Sequence, residues 1–292
     1  MKVSRASRFA AAAVAAVVIV AVVLPACSRH KAAPAVASRV VSLSPSTTEA
    51  MFAIGAQASL VGRSRFCDYP PEAASLPQVG GYIDPNYEAI LALRPDLVTG
   101  ARGPSGPSVA EKLEAKGIAT FFPEADSFAQ IDAMLLGLGD LTGHRDEARA
   151  LVSRIDAHAA AIAQVLVGKP KARVLLVFGL QPIVVAGPKS FPDEMLARAG
   201  GVNVVTEGPT YPTIDMEHLL ALDPDVILNA AMAEAHGAEA ITKDAPGWSS
   251  VRAVKEGRVV AVTDEAVLRP GPRVADGLVT IAKALHPDAA LP

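Results

Sequence analysis

The chain has 292 residues, with 27 lysines and arginines against 30 aspartates and glutamates, and a net charge of −3. That balance, with no basic stretch in the body, excludes a nucleic-acid surface built on phosphate contacts. Two cysteines are too few for a disulfide framework, and the length suffices for a large buried core in one large or two medium domains.

Residues 1–26 read as an export signal. Lys2, Arg5 and Arg8 precede an apolar run from Phe9 to Leu24, shorter than the ~20 residues that span a bilayer comfortably. Leu24-Pro25-Ala26-Cys27 is similar to a bacterial lipobox, in which the thiol is lipidated and becomes the new N-terminus. An uncleaved signal anchor is the alternative. Either way the body is expected outside the cytoplasm and held at a membrane. Removing residues 1–26 takes away three basic residues and no acid, so the charge becomes −6. With Cys27 lipidated, Cys67 is unpaired and reads as a buried structural thiol, because no positive neighbour lowers its pKa.

Residues 27–38 lack periodicity and read as a tether. Residues 39–140 read as an N-terminal α/β lobe. Val40-Val41-Ser42-Leu43 is a predicted strand, and Ser46 with Glu49 three residues on suggests a capping box. The Leu60 and Asp96–Thr99 strands, the Val109–Lys116 helix and the Ala119–Phe122 strand continue a βαβα order, which implies a mainly parallel sheet. Residues 141–169 read as a connecting helix, with an apolar stripe through Ala148, Leu151, Ile155, Ala159 and Ile162; Gly137, Gly139 and Gly143 read as breaks before it. Residues 170–292 read as a second α/β lobe, starting from the strand at Ala172 and closing with a helix from about Arg273 to Leu285. Two lobes on one stiff helix predict a cleft that is largely pre-formed.

The chain repeats itself. Residues 88–98 (Glu-Ala-Ile-Leu-Ala-Leu-Arg-Pro-Asp-Leu-Val) and 217–227 (Glu-His-Leu-Leu-Ala-Leu-Asp-Pro-Asp-Val-Ile) align Glu88 with Glu217 and Asp96 with Asp225. Each copy reads as a helix, a Pro-Asp stop and a buried strand. Tyr82 lies six residues before Glu88, and Tyr211 six before Glu217, each on a loop rich in glycine and proline. Parallel sheets bind ligands at the loops beyond their strand C-termini. Two rigid loops carrying paired rings could therefore hold a broad, flat, amphipathic ligand. An acid in a helix's first turn is explained by the helix dipole alone, but its retention in both copies suggests two matched docking points.

Catalytic readings find little support. There is no Gly-x-Ser-x-Gly elbow and no Walker loop. No two histidines sit at metal-ligand spacing, although several could converge in space. A secreted α/β hydrolase stays as a remote alternative, and the chain is expected not to be an enzyme.

Val40–Glu49, Cys67-Asp-Tyr-Pro-Pro-Glu72, the Gly80–Asp96 stretch and Ala199-Gly-Gly-Val-Asn203 together resemble the helical-backbone metal receptors. These are substrate-binding proteins of ABC importers for cobalamin, haem and ferric siderophores, and the pattern is most similar to the cobalamin-binding members. The resemblance runs from about Arg39 to Leu285. It implies a class III periplasmic binding fold: two Rossmann-like α/β lobes joined by a single long rigid helix. It implies an exported lipoprotein monomer that hands a cobalt corrinoid, or alternatively haem or a ferric siderophore, to an ABC permease dimer with its ATPase subunits. No resident cofactor is implied. The ligand-facing positions carried over are Phe66, Tyr82, Arg102, Phe178, Tyr211, Asp264 and Arg269, with Ala101 where the cobalamin binders carry a pocket tryptophan; the docking acids are Glu88 and Glu217. Tyr82 would be a metal ligand only for haem. Arg63, Arg65, Arg102 and Arg269 could serve a siderophore.

Overall fold

The computed structural model describes residues 36–102, 108–231, 241–245 and 247–292. The expected signal, Cys27 and most of the tether lie outside them. Residues 35–292 form one compact unit.

Its first half is a four-stranded parallel sheet in the order β2-β1-β3-β4. The strands are β1 (Val40–Ser42), β2 (Leu60–Arg63), β3 (Leu97–Thr99) and β4 (Ala119–Phe121). Helices α1 (Pro45–Ala53), α2 (Tyr87–Ala92) and α3 (Ser108–Glu114) connect them. β1 and β3 are buried throughout, as expected for strands covered on both faces, which is why they read as unbroken apolar runs.

The second half departs from this plan. Its sheet runs β10-β9-β5-β6-β8, with β7 also on β5. β5 (Ala172–Leu180), β9 (Val226–Asn229) and β10 (Val259–Ala261) are parallel. The first part of β5 pairs with β7 (Gly201–Asn203), and its last part pairs antiparallel with β6 (Ile183–Val185), which carries β8 (Thr213–Ile214). The sequence reading did not find β6 and β8. At three and two residues they are too short to show a period, and Gln181-Pro182 before β6 reads as plain turn. The remaining helices of this half are α6 (Phe191–Arg198), α7 (Met216–Leu222), α8 (Arg252–Lys255) and α9 (Val274–Leu285).

The sequence repeat becomes a pair of matching clasps. In the first half Arg39 N donates to Asp96 Oδ1 at 3.1 Å and Asp96 N donates back to Arg39 O at 2.9 Å. In the second, Arg173 N donates to Asp225 Oδ2 and Asp225 N to Arg173 O, both at 2.8 Å. Both guanidiniums also reach the end of the repeat helix, through Nη2 to Leu93 O in one half and to Leu222 O in the other, each at 2.7 Å. Between helix and clasp, Arg94 (φ 47°) and Asp223 (φ 40°) take the left-handed conformation just before their prolines. That costs a non-glycine residue roughly 1–2 kcal/mol, and it persists where the surroundings over-determine it. The clasps supply that determination.

Between the halves lies a helical hairpin of α4 (Phe128–Thr142) and α5 (Arg145–Leu166). Gly137 and Gly139 do not break α4, contrary to the sequence reading. A Cβ on Gly137 would come within 2.6 Å of the Phe121 ring, and one on Gly139 within 2.6 Å of Ala148 Cβ. These glycines let the helix approach its neighbours, and the turn falls only at Gly143, with φ 78°. The connector is thus α5 braced along its length by α4. The largest apolar cluster runs from Val40 and Met51 through Leu135, Leu138 and Ile155 to Leu176, Leu196 and Leu285. It belongs to both halves at once. Helix α9 buries Val274, Leu278, Ile281 and Leu285 in it, worth roughly 1.5–3 kcal/mol per side chain.

Candidate ligand cleft

The loops at the C-terminal ends of the strands carry the chemistry. After β1 the chain enters α1 through a cluster of hydroxyls. Ser44, not Ser46, is the cap: Thr47 N donates to its Oγ, which also accepts from Ala101 N at 2.9 Å. Glu49 therefore does not complete a capping box. It is 3% exposed and turned toward the other half.

Each half presents one aromatic pair. Phe66 and Tyr82 meet edge to face at 6.2 Å, and Phe178 and Tyr211 at 5.6 Å; such pairs gain about 0.5–1.5 kcal/mol beyond their area burial. Phe66 and Tyr211 remain 44% and 48% exposed, so each pair offers apolar surface to a ligand. The Tyr82 loop closes over Arg65 and Phe66 because Gly81 has no side chain: a Cβ there would lie 2.5 Å from Asp84 Oδ1 and 3.0 Å from the Phe66 ring. The Tyr211 loop rests on Gly187, whose N donates to Thr210 O at 2.8 Å. A Cβ on Gly187 would fall 2.1 Å from Pro209 O. Partial burial, and then the Asp126 carboxylate, raise the Tyr211 phenol above its ordinary pKa. Asp126 belongs to the loop after β4, so the rim of the first half reaches the aromatic pair of the second.

The charged positions are less free than the sequence suggests. Arg269 Nη1 lies 2.9 Å from Asp68, 2.9 Å from Glu265 and 3.5 Å from Glu49. Arg273 binds Glu49 with two arms, at 2.7 and 2.9 Å, and lies over the Tyr69 ring at 4.0 Å. These contacts tie α1 and the Asp68–Tyr69 turn of the first half to the approach to α9 in the second. Glu49 and Arg273 were not singled out in the sequence, where Glu49 is masked by its match to a capping box. Asp264 caps a short turn through Ala266 N and accepts from Thr280 Oγ1 at 2.7 Å, a structural role. Arg102 pairs with Glu124, and Arg65 with Asp84, each at 2.8 Å. Arg63, 5% exposed, donates to the carbonyls of Ser64 and Ala74.

Ser44, Ser46, Tyr82 and Arg102 of the first half enclose a cavity of about 250 Å³ with Leu268 and Arg269 of the second. Two larger hollows, of about 490 and 630 Å³, lie elsewhere: one against Lys171, Arg258 and His286, the other against Phe52, Tyr69 and Leu151. The smaller one is the candidate site, because of these three it alone brings together predicted residues of both halves. Glu88 and Glu217 are exposed in the first turns of α2 and α7, behind the caps Asn86 and Asp215. Among the described residues no group of His, Cys, Asp and Glu could hold a metal ion.

The family model described as periplasmic binding protein matches residues 40–266. The chain belongs to that family. It is 34% identical over 198 residues to the vitamin B12-binding protein of Salmonella paratyphi A, covering 68% of this chain and 74% of that one. Among solved structures it is similar to the periplasmic vitamin B12 binding protein of Vibrio cholerae, with a TM-score of 0.75 and 25% identity over 85% of this chain and 96% of that one. It is also similar to a periplasmic haem-binding protein from Pseudomonas aeruginosa, with a TM-score of 0.72 and 32% identity over 87% and 94%. The two-lobed α/β architecture of this family is the one seen here.

Proposed function

We propose that the chain is the extracytoplasmic receptor of an ABC importer and captures cobalamin or a related corrinoid in the cleft between its halves. The observation that carries this reading is one edge-to-face aromatic pair in each half, with Tyr82 of the first pair lining the cavity shared by both halves. The cavity itself is smaller than the roughly 300–1,000 Å³ of drug-sized pockets. A macrocycle would seat one edge in it and lie with its faces against Phe66–Tyr82 and Phe178–Tyr211. The vitamin B12-binding relatives support this choice of ligand. The receptor makes and breaks no bond; the partner ATPase subunits supply the energy. Lipidation at Cys27 would keep the monomer at the membrane, on the periplasmic side.

Titration calorimetry with cyanocobalamin tests the reading. Binding is expected, and no heat at micromolar concentrations rejects the corrinoid. The haem-binding relative and the Tyr82 hydroxyl at the cavity favour one second reading. A Soret shift on adding haemin that disappears in Tyr82→Phe would establish haem instead. For docking, Glu88 and Glu217 are the two acids offered to the permease. Replacing both by alanine is expected to leave ligand affinity unchanged and to weaken association with the transporter; equal transport by the double variant removes that role.

A further inference from the structure

We infer that the cleft selects metal chelates carrying no net negative charge, because the chain's own carboxylates already occupy the arginines that line it. This rests on the receptor reading above and narrows its ligand class. An arginine at a cleft recognises carboxylate or phosphate when its guanidinium fork is free. Here both arginines that line the cavity are already paired with the chain's own carboxylates. Arg269, whose side chain is 21% exposed, is bracketed by Asp68, Glu265 and Glu49. Arg102, the other arginine lining the cavity, is paired with Glu124, and Arg65, which lies over the Phe66 ring, is paired with Asp84.

Asp126 adds a further negative charge beside Tyr211. An anionic ligand would have to draw Arg269 away from Glu49, a carboxylate 3% exposed and otherwise held by Arg273. It would have to compete with three carboxylates for one guanidinium and approach their combined negative charge. Ser46 at the same cavity, its Oγ 3.1 Å from that of Ser44, offers only neutral hydrogen bonding, which suits amides instead. The class recognised is an amphipathic chelate with its metal enclosed, a broad apolar face and uncharged peripheral amides or esters.

Two matched ligand sets test this on the intact chain. In the first, cyanocobalamin is compared with forms whose peripheral amides have been hydrolysed to one or two carboxylates. In the second, haemin dimethyl ester is compared with haemin. Affinity is expected to fall about fivefold for each carboxylate added, the size of a like-charge contact about 4 Å away in a water-like dielectric, and to fall less at high salt. Asp68→Asn combined with Glu265→Gln, both at exposed side chains, is expected to recover most of the loss by freeing one side of Arg269. If the carboxylate forms bind as well as the uncharged ones, or better, the charge selection is wrong while the receptor reading stands. If neither macrocycle binds in any form, the receptor reading fails and takes this inference with it.

Discussion

The two halves are alike where they are built and unlike where they would bind. At the strand starts, Arg39–Asp96 and Arg173–Asp225 close the same clasp with the same hydrogen bonds, and even the left-handed residue before each proline is repeated. At the cleft the halves use different means for the same end. The first brings its tyrosine up on a tight turn joined by a single bridge between Gly80 and Pro85; the second uses the antiparallel strands β6 and β8. A duplicated scaffold can hold its foundations fixed while each rim is rebuilt separately, since connecting loops tolerate change that packed elements do not.

The largest test of this contrast is at the two glycines beneath the aromatic loops. Gly187→Ala would press a methyl into the backbone oxygen of Pro209, which cannot swing aside. We expect a loss of about 3 kcal/mol, as for overpacked sites, and at least a tenfold loss of ligand affinity as the Tyr211 loop moves. Gly81→Ala meets mainly the Asp84 carboxylate, which can rotate, and should cost less than about 1 kcal/mol. Denaturant unfolding and titration of both variants compare the rims directly; equal effects would mean the two loops are held alike.

Next come the clasps. Asp225 accepts from Arg173 N and Arg252 Nη2, and Asp96 from Ser38 N, Ser38 Oγ and Arg39 N. We expect Asp225→Ala to cost about 2 kcal/mol and the more exposed Asp96→Ala about 1 kcal/mol, after allowing for solvent screening. Their acid response has a definite sign. Burial works against the charged form of Asp96, but the donors of Ser38 and Arg39 outweigh it and hold its pKa below the ordinary value. The Arg173 N–H and then Arg252 do the same for Asp225. Their contribution is complete above the unfolded pKa of about 3.9 and is lost as pH falls through the lower folded values. Below pH 4 the parent should therefore lose stability more steeply than either variant; equal losses in all three would show the clasps to be idle.

The smallest expected effect sits where the halves are joined. Burial, and then the nearby Asp156, raise Asp132 on α4 to a pKa of about 6, and its Oδ1 is buried without a partner. For an acid raised in the folded state the sign reverses. Its charge destabilises above about pH 6, and the penalty is relieved as pH falls from 6 toward its unfolded value. Asp132→Asn should stabilise the chain by about 1 kcal/mol at pH 8, screened because the group is partly exposed, and should flatten the melting temperature between pH 5 and 8.

Most of the architecture was legible because it is carried by periodic apolar runs and by Pro-Asp punctuation that mark strands and helices locally. Arg39 and Arg173 were not, since one arginine before a strand carries no pattern until the partner aspartate, more than fifty residues away, is folded beside it. The cleft divides in the same way. The edge-to-face pairs of Phe66 with Tyr82 and Phe178 with Tyr211 join residues proposed from the repeat and the family likeness, whereas the Glu49–Arg273 pair spans 224 positions and Glu49 conformed to a local capping pattern that the fold does not use. Local chemistry is visible along the chain; ion pairs between halves are not.

The apolar cluster that passes from Val40 through the hairpin to Leu285 has a calorimetric consequence. Each half also has a smaller cluster of its own, around Val41 and Ile90 in the first and Leu175 and Trp248 in the second, but the largest is common to both, so the pair should unfold in a single endotherm whose van't Hoff and calorimetric enthalpies agree. Because the largest interior is held in common, cutting the chain between the halves would bare apolar surface on both.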